Sequence, residues 1–536
     1  TPNNTLNTDV SQFQDNLTFY LNNHTLTAGV NYETFAFDNL FTPTFYGQYV
    51  FNNINDFKNA LNGDSVALRR YALNYSALPN QELPWATTKV QMPGAYLQDE
   101  ISLLNNKLSL TVGVRIDVPI FAETALRNVL VDTMKFKDEN GNIVNYGTNK
   151  LPNKQYMFSP RLGFNYDVMG NRKLQVRGGT GVFTGRPPFV WISNVVGNNG
   201  VLQGSITQDN TNTRKYKFSN DVTANIPANA TASPSYNLAL IDQGFKFPQV
   251  WRNDLAFDFS LPQGLILTVE GIYSKTLNNI YYINANQELS TGNFSGDDSR
   301  PYFPGIDKSS TAKTNASRIY DNISDATVLK NTDKGYSYSF TTKLEKPLTK
   351  NWSAMVAYNL AEAKDLTSAG SIALNSWRDN KSVNGNNLPD LAYSEFDQKH
   401  RIIAGLSYKV NYLKIASTQI SLFLQSGNQS RFSLFYSGDQ NGDNQSGNDL
   451  MYVPNKASDL SFNDLIKKIG SKDSVIATKQ QQIDAFENYI SNNPFLNDNR
   501  GKIVERNALL LKWLTTIDLS IVQEFGVKIS GREHKF

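Results

Sequence analysis

Several residue types that often carry protein chemistry are scarce in this 536-residue sequence. There is no cysteine, which excludes disulfide bonds and thiolate metal sites. The three histidines, His24, His400 and His534, are scattered singly and give little basis for imidazole catalysis or a zinc site. No window approaches about 18 consecutive apolar residues, so transmembrane helices are excluded. The net charge of +3 is too close to neutral to indicate a nucleic-acid partner.

The sequence is rich instead in alternation between apolar and polar residues, and residues 250–275 show it most clearly. Trp251, Leu255 and Phe257 alternate with polar positions up to a predicted turn at 261–264, and a second alternating limb follows. A period of two predicts β-strands, and the proline and glycine of the turn supply the backbone angles that a hairpin needs. Each limb has roughly 10 residues, which is enough for a tilted strand to cross a bilayer.

The same pattern recurs along the whole chain. Further hairpins are predicted from residues 17–21 with 26–32, 94–104 with 108–118, 158–168 with 174–182, 336–345 with 352–361, and 400–408 with 420–424. Residues 513–521 form the last clear strand, and Gly526 is predicted to open one more. Short helices are predicted near 54–61 and around 475–490. The total is about 14 to 16 strands.

The connections alternate between tight turns and long polar loops. This order is typical of outer-membrane barrels, in which periplasmic turns are short and extracellular loops are long. The predicted fold class is therefore all-β, a transmembrane antiparallel β-barrel, with a large soluble all-β protein as the alternative. Crossing a bilayer as a closed sheet is also the route left to a chain without spanning helices, because lipid cannot satisfy free backbone groups.

Alternation also assigns the two faces of the predicted wall. Leu110 and Phe257 are predicted to face lipid and Thr111 the interior. The interior carries charged residues, which are Arg115, Asp117, Arg161, Arg177, Arg252, Asp254, Asp258 and Glu270. We interpret them as wall residues that pair with neighbours, lining water, a plug or both.

One loop carries a candidate metal site. Asp439, Asn441, Asp443 and Asp449 place oxygen atoms at intervals between glycines, as loops that bind Ca²⁺ do. The loop is not an EF-hand, because Asn444 and Leu450 stand where that motif needs glycine and glutamate. If a metal binds, these four residues are the predicted ligands, and Ca²⁺ would stiffen an extracellular loop. The alternative is an ordinary solvated loop.

Aromatic residues near strand ends are interpreted as a girdle at the bilayer surface. They include Trp251, Tyr273, Tyr281, Tyr282, Trp352 and Trp513, and residues 186–191 (RPPFVW) are interpreted in the same way, with substrate contact as the alternative. Asp397 and His400 lie close in sequence, and a salt bridge at the rim is the preferred interpretation because no nucleophile accompanies them. No catalytic constellation can be assembled, so we predict that the protein is not an enzyme.

Several segments resemble one family. Residues 158–166 (FSPRLGFNY), 176–193 (VRGGTGVFTGRPPFVWIS), 269–275 (VEGIYSK), 393–401 (YSEFDQKHR) and 447–454 (GNDLMYVP) are similar to Oar-like TonB-dependent outer-membrane receptors of Bacteroidota. The resemblance covers essentially the whole chain. It implies a barrel of 22 strands around a plug, with a further N-terminal domain and a segment that engages TonB. Residues 1–536 would then be a partial barrel without plug or N-terminal domain and with its last strands missing, and 428–507 a long extracellular loop region with a helix.

The resemblance implies a TonB-dependent active transporter in the outer membrane of a Gram-negative bacterium. The expected partners are outer-membrane lipid, including lipopolysaccharide, the TonB energy-transducing complex and a surface lipoprotein or other outer-membrane protein, with no nucleic acid. A large substrate, with a preference for peptide or protein, is expected to bind the loops. The alternatives are a glycan importer with a surface lipoprotein lid and a non-importing barrel for surface interaction or secretion.

Overall fold

The computed structural model describes residues 2–209, 216–306, 316–349, 351–368, 370–412, 416–469, 472–529 and 532–535. Within them, fourteen strands pair in sequence order as one antiparallel sheet, which we call the wall. The strands are β1 (Asn3–Leu21), β2 (His24–Thr42), β3 (Ala86–Leu103), β4 (Leu108–Asp117), β5 (Met157–Asp167), β6 (Leu174–Thr184), β7 (Gln249–Ser260), β8 (Ile266–Asn284), β9 (Tyr336–Thr349), β10 (Trp352–Asp365), β11 (His400–Tyr412), β12 (Ala416–Asn428), β13 (Trp513–Ile529) and β14 (Arg532–Lys535). The predicted strand count and hairpins are confirmed.

Four shorter strands complete an 18-stranded sheet: Ile120–Phe121, Tyr236–Ile241, Ile323–Thr332 and Ala392–Tyr393. Within the described residues, the free edges of β1 and β14 do not pair with each other, so the sheet is not closed. Small two- or three-stranded sheets form in the connections, from Gln48–Phe51, Leu68–Ser76 and Gln203–Asp209, and from the pairs Phe136–Lys137 with Ile143–Val144, Gly292–Asn293 with Pro301–Tyr302, Arg431–Phe432 with Leu509–Leu510, Tyr452–Val453 with Lys502–Ile503, and Leu465–Ile469 with Lys472–Ala477.

The connections alternate in length as predicted. One end of the wall, which we call the short-turn end, carries the turns 22–23, 104–107, 168–173 and 261–265; at the same end, two residues separate β9 from β10, three separate β11 from β12, and two separate β13 from β14. The other end, the long-loop end, carries connections 43–85, 118–156, 185–248, 285–335, 366–399 and 429–512. The described helices all lie in these long connections: α1 (Ile54–Leu61), α2 (Phe189–Gly197), α3 (Ala373–Arg378), α4 (Lys479–Ser491) and α5 (Pro494–Asp498), with 3₁₀ turns at Val131–Thr133, Pro304–Ile306 and Ala457–Asp459. A further 3₁₀ turn, Pro262–Gly264, closes the hairpin of β7 and β8.

Two sequence predictions need correction. The helix predicted at 475–490 begins only after Thr478, because β-branched Val475 and Ile476 belong to the strand Lys472–Ala477. The Thr478 side chain accepts from the backbone of Gln481, whose side chain accepts in return, and this capping box fixes the helix start. Gly526 does not open a strand; it lies inside β13, since a single glycine does not interrupt a paired strand.

The outer face of the wall exposes a band of apolar side chains. Its members are between 43% and 62% exposed: Leu17, Val30, Leu97, Val112, Leu162, Leu255, Phe340, Val356, Leu406, Leu422 and Leu519. A contiguous apolar surface that runs across so many strands is costly in water and suited to lipid. Asn253, an amide on this face, accepts a hydrogen bond of 2.7 Å from the Thr180 hydroxyl, which also accepts from Trp251 Nε1 at 2.8 Å.

Strand β8 extends beyond the wall. Its first part pairs with β9, from Ile266 opposite Glu345 to Lys275 opposite Tyr336. Its last part pairs with the loop strand Ile323–Thr332, to which Tyr236–Ile241 adds in parallel. One continuous strand therefore belongs both to the wall and to the folded loops above it.

Candidate functional site at the long-loop end

The inner face of the wall carries ion pairs, some between strands and one within a strand. Arg177 of β6 contacts Asp258 of β7 at 3.1 Å and Glu270 of β8 at 3.2 Å. On β4, Arg115 pairs with Asp117 at 2.6 Å and reaches Asn31 of β2. Two more predicted inner charges, Arg161 and Arg252, lie over the ring of Phe183. These contacts support the interpretation of the inner charges as wall residues that face a polar interior.

At the long-loop end, the connections pack against the inner face and form what we call the cap. Helix α2 begins after Pro188, and its Phe189 ring lies 5.1 Å from Phe35 of β2. Trp191 is 8% exposed, and its Nε1 donates to the Ser371 carbonyl at 2.6 Å. The interpretation of 186–191 as part of an interfacial girdle is therefore wrong, because the apolar residues of α2 turn inward to cover the apolar upper part of the inner face.

The second helix of the cap is α3. Its Trp377 is 2% exposed and donates Nε1 to Asn387 at 2.9 Å, while Asn387 in turn bonds the backbone of Asn284 at the end of β8. Tyr282 lies against Trp191 in the same core.

Tyr281 and Tyr282, at 8% and 2% exposed, are core residues and were wrongly predicted to be girdle residues. Both tyrosines lie on the part of β8 that continues past the wall, so they pack into the cap and do not face the bilayer. The other four predicted girdle residues, Trp251, Tyr273, Trp352 and Trp513, are between 40% and 48% exposed on the outer face, as predicted.

Two buried ion pairs fasten the cap to the rim of the wall. Asp397 pairs with Arg431 at 2.5 Å, with side chains 0% and 3% exposed, and also accepts from the Ala363 backbone of β10. Arg506 pairs with Asp365 at 2.6 Å. The predicted salt bridge at the rim therefore exists, but its cation is Arg431.

His400, the predicted neighbour of Asp397, instead bonds the Tyr358 hydroxyl at 2.7 Å and stacks on Trp513. Sequence reasoning missed Arg431 and Arg506 because each lies far along the chain from its partner, and no local motif marks it.

Between connections 366–399 and 429–512 lies a cleft of about 420 Å³. Its lining includes Asp379, Lys381, Glu395 and Phe435 beside the ion-pair arginines. Lys381 Nζ lies 4.7 Å from the centre of the Phe435 ring, and burial lowers the pKa of this amine. The cleft thus offers groups of both charges, and a cation already covers its aromatic face.

The predicted metal loop, residues 439–449 (the acidic loop), is partly enclosed: Gln440 and Ser446 are exposed, whereas its central and last residues are buried. Asn441, Asp443 and Asp449 are at most 2% exposed. Asp439 accepts from the backbone of Gly442 and Asn444, and Asn441 Oδ1 accepts from the Asp443 backbone. Asp449 accepts from the Gln440 backbone and faces Arg300 at 3.4 Å.

All four predicted ligands therefore accept hydrogen bonds from the loop's own backbone, since Asp443 Oδ1 also accepts from the Gln445 N–H at 2.9 Å, and three of the four are buried. In the part of the chain that the structure describes, no three His, Cys, Asp or Glu side chains converge to hold a metal ion.

Among the described helices, none combines the length and hydropathy that crossing a bilayer would need.

Comparison with known protein families identifies the family of this chain. The model of a family described as outer membrane beta barrel domain matches residues 1–534. A search of curated proteins finds no match.

Among solved structures, the chain is similar to the outer membrane transporter YddB from Escherichia coli, at 13% identity and a TM-score of 0.45, covering 81% of this chain and 44% of that one. It is also similar to the FrpB iron transporter from Neisseria meningitidis, at 11% identity and a TM-score of 0.39, covering 80% and 45%. A third is the ferric enterobactin receptor PfeA from Pseudomonas aeruginosa, at 12% identity and a TM-score of 0.39, covering 82% and 44%. The chain thus spans less than half the length of each.

Proposed function

The chain belongs to the outer membrane β-barrel family, and from this premise we propose that it forms the wall and outer cap of a TonB-dependent active transporter. The protein lies in the outer membrane. The observation that carries the proposal is the cap itself, in which long connections fold with buried tryptophans and ion pairs onto the apolar upper part of the inner face, above its charged lower part. A passive pore needs no such cover, whereas an importer of scarce cargo needs a binding surface outside and a closed route beneath it.

The proposed route runs from the cleft of the cap along the inner face to the short-turn end. The cap would face the exterior, as the long loops of such barrels do. Ion pairs such as Arg177 with Asp258 give the route a hydrated, charged lining. The TonB complex would supply the energy that opens it, through a part of the protein beyond these residues, as the Oar-like resemblance implies.

We infer peptide or protein cargo from the chemistry of the cleft. Asp379, Lys381 and Glu395 offer both charges to a chain of amides and charged termini. Sugars are usually held by stacking on free aromatic faces, but here Lys381 covers Phe435 and the Arg431 guanidinium lies 3.6 Å from the centre of Tyr393. These covered rings favour peptide over glycan.

Cysteine labelling in living cells tests energised import, because the chain has no cysteine of its own. Ser407 lies on the inner face toward the short-turn end, where its hydroxyl shares hydrogen bonds with Ser421 and Gln419, and cysteine differs from serine by one atom, so Ser407→Cys is a mild change. An impermeant maleimide too large for porins, added outside, should label this cysteine faster in energised cells than after a protonophore or loss of TonB. Exposed Asp321→Cys is the matched control and should label equally in all cells.

Equal labelling of Ser407→Cys in energised and de-energised cells would contradict import and favour a surface-interaction or secretion-associated barrel. The cargo class is tested separately with Lys381→Cys in the cleft. A mixture of tryptic peptides should slow labelling there and dextran oligosaccharides should not. The reverse result would favour a glycan importer, whose lid would be a surface lipoprotein.

A further inference from the structure

The acidic loop is held between two other connections of the cap. Phe303 donates to the Asn441 carbonyl at 2.8 Å, and Ser382 donates to the Asn448 carbonyl at 2.9 Å. Gly442 has a φ of +78°, and a Cβ there would collide with the backbone of Ile306. Only glycine permits this approach, so the loop is built to sit inside the cap.

Asp443 lies inside this enclosure, where its carboxylate accepts hydrogen bonds from the Gln445 backbone N–H at 2.9 Å and from Asn448 Nδ2 at 2.8 Å. Asp449, its neighbour in the loop, faces the buried guanidinium of Arg300, which also bonds the Leu450 carbonyl at 2.6 Å. Among the described residues, Asp443 makes no ion pair. Burying an unpaired charge costs several kcal/mol, so such groups are paired, bound to metal or protonated.

Two amide oxygens beside Asp443 also lack hydrogen-bond donors. Asn448 is 0% exposed; its Nδ2 donates to Asp443 Oδ2 at 2.8 Å, while its Oδ1 is buried without a partner. Gln287, at 4% exposed, comes from a different connection; its Nε2 donates to the Asp443 carbonyl at 3.3 Å, and its Oε1 is also unpartnered. Two acceptors and an unbalanced carboxylate, all buried around one residue, are the pattern that a bound cation completes.

We propose that Asp443, Asn448 Oδ1 and Gln287 Oε1 bind a Ca²⁺ ion that joins two connections of the cap. The proposed ligand atoms are all oxygen, which hard cations prefer. A ligand set that combines a carboxylate with neutral amides suits Ca²⁺. The site differs from the sequence prediction, since it keeps Asp443 and replaces the other three predicted ligands. With one formal charge, it belongs among the weak extracellular calcium sites, with a Kd of roughly 10⁻⁴ to 10⁻³ M.

Hydrogen exchange of the full-length protein in lipid nanodiscs tests this site locally. At a CaCl₂ concentration about ten times Kd, opening of the site should become about elevenfold rarer, so amides of 436–450 should exchange about tenfold more slowly than in EGTA. MgCl₂ at the same concentration should give little protection, because Mg²⁺ requires a tighter octahedral shell. Asp443→Asn should abolish the calcium effect while keeping the loop shape, and exposed Asp321→Asn should keep it.

A charge-adding variant keeps the test valid if Asp443→Asn fails to fold. Gln287→Glu adds a second carboxylate and should lower the CaCl₂ concentration for half-protection severalfold. The proposal is overturned if CaCl₂ leaves exchange of 436–450 unchanged in the wild type, or if MgCl₂ protects as well. Protection that persists in Asp443→Asn, or is no stronger in Gln287→Glu, would overturn the ligand assignment.

Discussion

Val356 provides the sharpest test of which face of the wall meets lipid. It lies on β10 between Leu344 of β9 and Ala404 of β11, and it is 47% exposed. On the same face, Trp352 lies toward the short-turn end and Tyr358 toward the long-loop end, both at the edges of the apolar band. Val356 therefore lies near the bilayer midplane, where an arginine on the lipid face costs about 2 to 4 kcal/mol.

The adjacent residue supplies the matched control. Met355 points to the inner face, lines a cleft of about 510 Å³ and lies opposite Glu345 of β9 in the register. An arginine there finds water and a carboxylate, so Met355→Arg should cost less than about 1 kcal/mol. Val356→Arg, which puts the same side chain into hydrocarbon, should lower the folding constant by roughly 30-fold to 1000-fold.

The measurement is equilibrium unfolding in urea of both variants and the wild type in phospholipid vesicles, followed by tryptophan fluorescence. The urea dependence of the free energy should be the same in all three, so that midpoints compare directly. Equal losses in the two variants, or a larger loss for Met355→Arg, would refute the assignment of the faces and with it the outer apolar band as a lipid contact.

Two further predictions concern the cap. Arg431→Met leaves Asp397 buried without a cation and should cost about 3 to 5 kcal/mol, seen as faster proteolysis within 429–512, whereas adding Asp397→Asn should restore resistance; a double variant as sensitive as the single one would contradict this. Burial raises the pKa of Asp325 to about 6 from 3.8, against the opposing effects of Arg318 and Arg378. Because the folded-state pKa is the higher one, the stability that this carboxyl contributes is full below pH 3.8 and is lost as pH rises through about 6. Amides of Ile323–Thr332, corrected for intrinsic rates, should therefore open more often at pH 8 than at pH 5, and Asp325→Asn should remove most of that difference; an unchanged difference would place its origin elsewhere.

The wall could be predicted from the sequence because the residue pattern of each strand depends on the lipid and water around that strand alone. A strand between lipid and water must alternate at a period of two, and residues such as Leu255 and Asp258 show this without any knowledge of their neighbours. Where β8 leaves the wall, alternation no longer indicates which side chains face lipid and which face water. Tyr281 and Tyr282 are both buried, in different cores, so alternation no longer separates two solvents.

The cap could not be predicted for a different reason. Its contacts join residues far apart in sequence, as Asp397 and Arg431 or Trp191 and Ser371 do, and its polar residues satisfy one another in enclosed positions. The acidic loop illustrates the difference. Its composition indicated oxygen ligands, but only the fold shows that Asp439 is used to shape the loop, whereas Gln287 arrives from another connection.

From the extension of β8 past the wall we expect an order of assembly. The loop strand Ile323–Thr332 pairs with the last residues of β8 on one side and with Tyr236–Ile241 on the other, and of these two partners β8 is the one that also belongs to the wall. We therefore expect the cap to nucleate on the inserted β8 hairpin, with the end of the membrane-embedded strand as the template for the structure outside. Damage to the cap should leave insertion intact, whereas a defect in β8 should stop both.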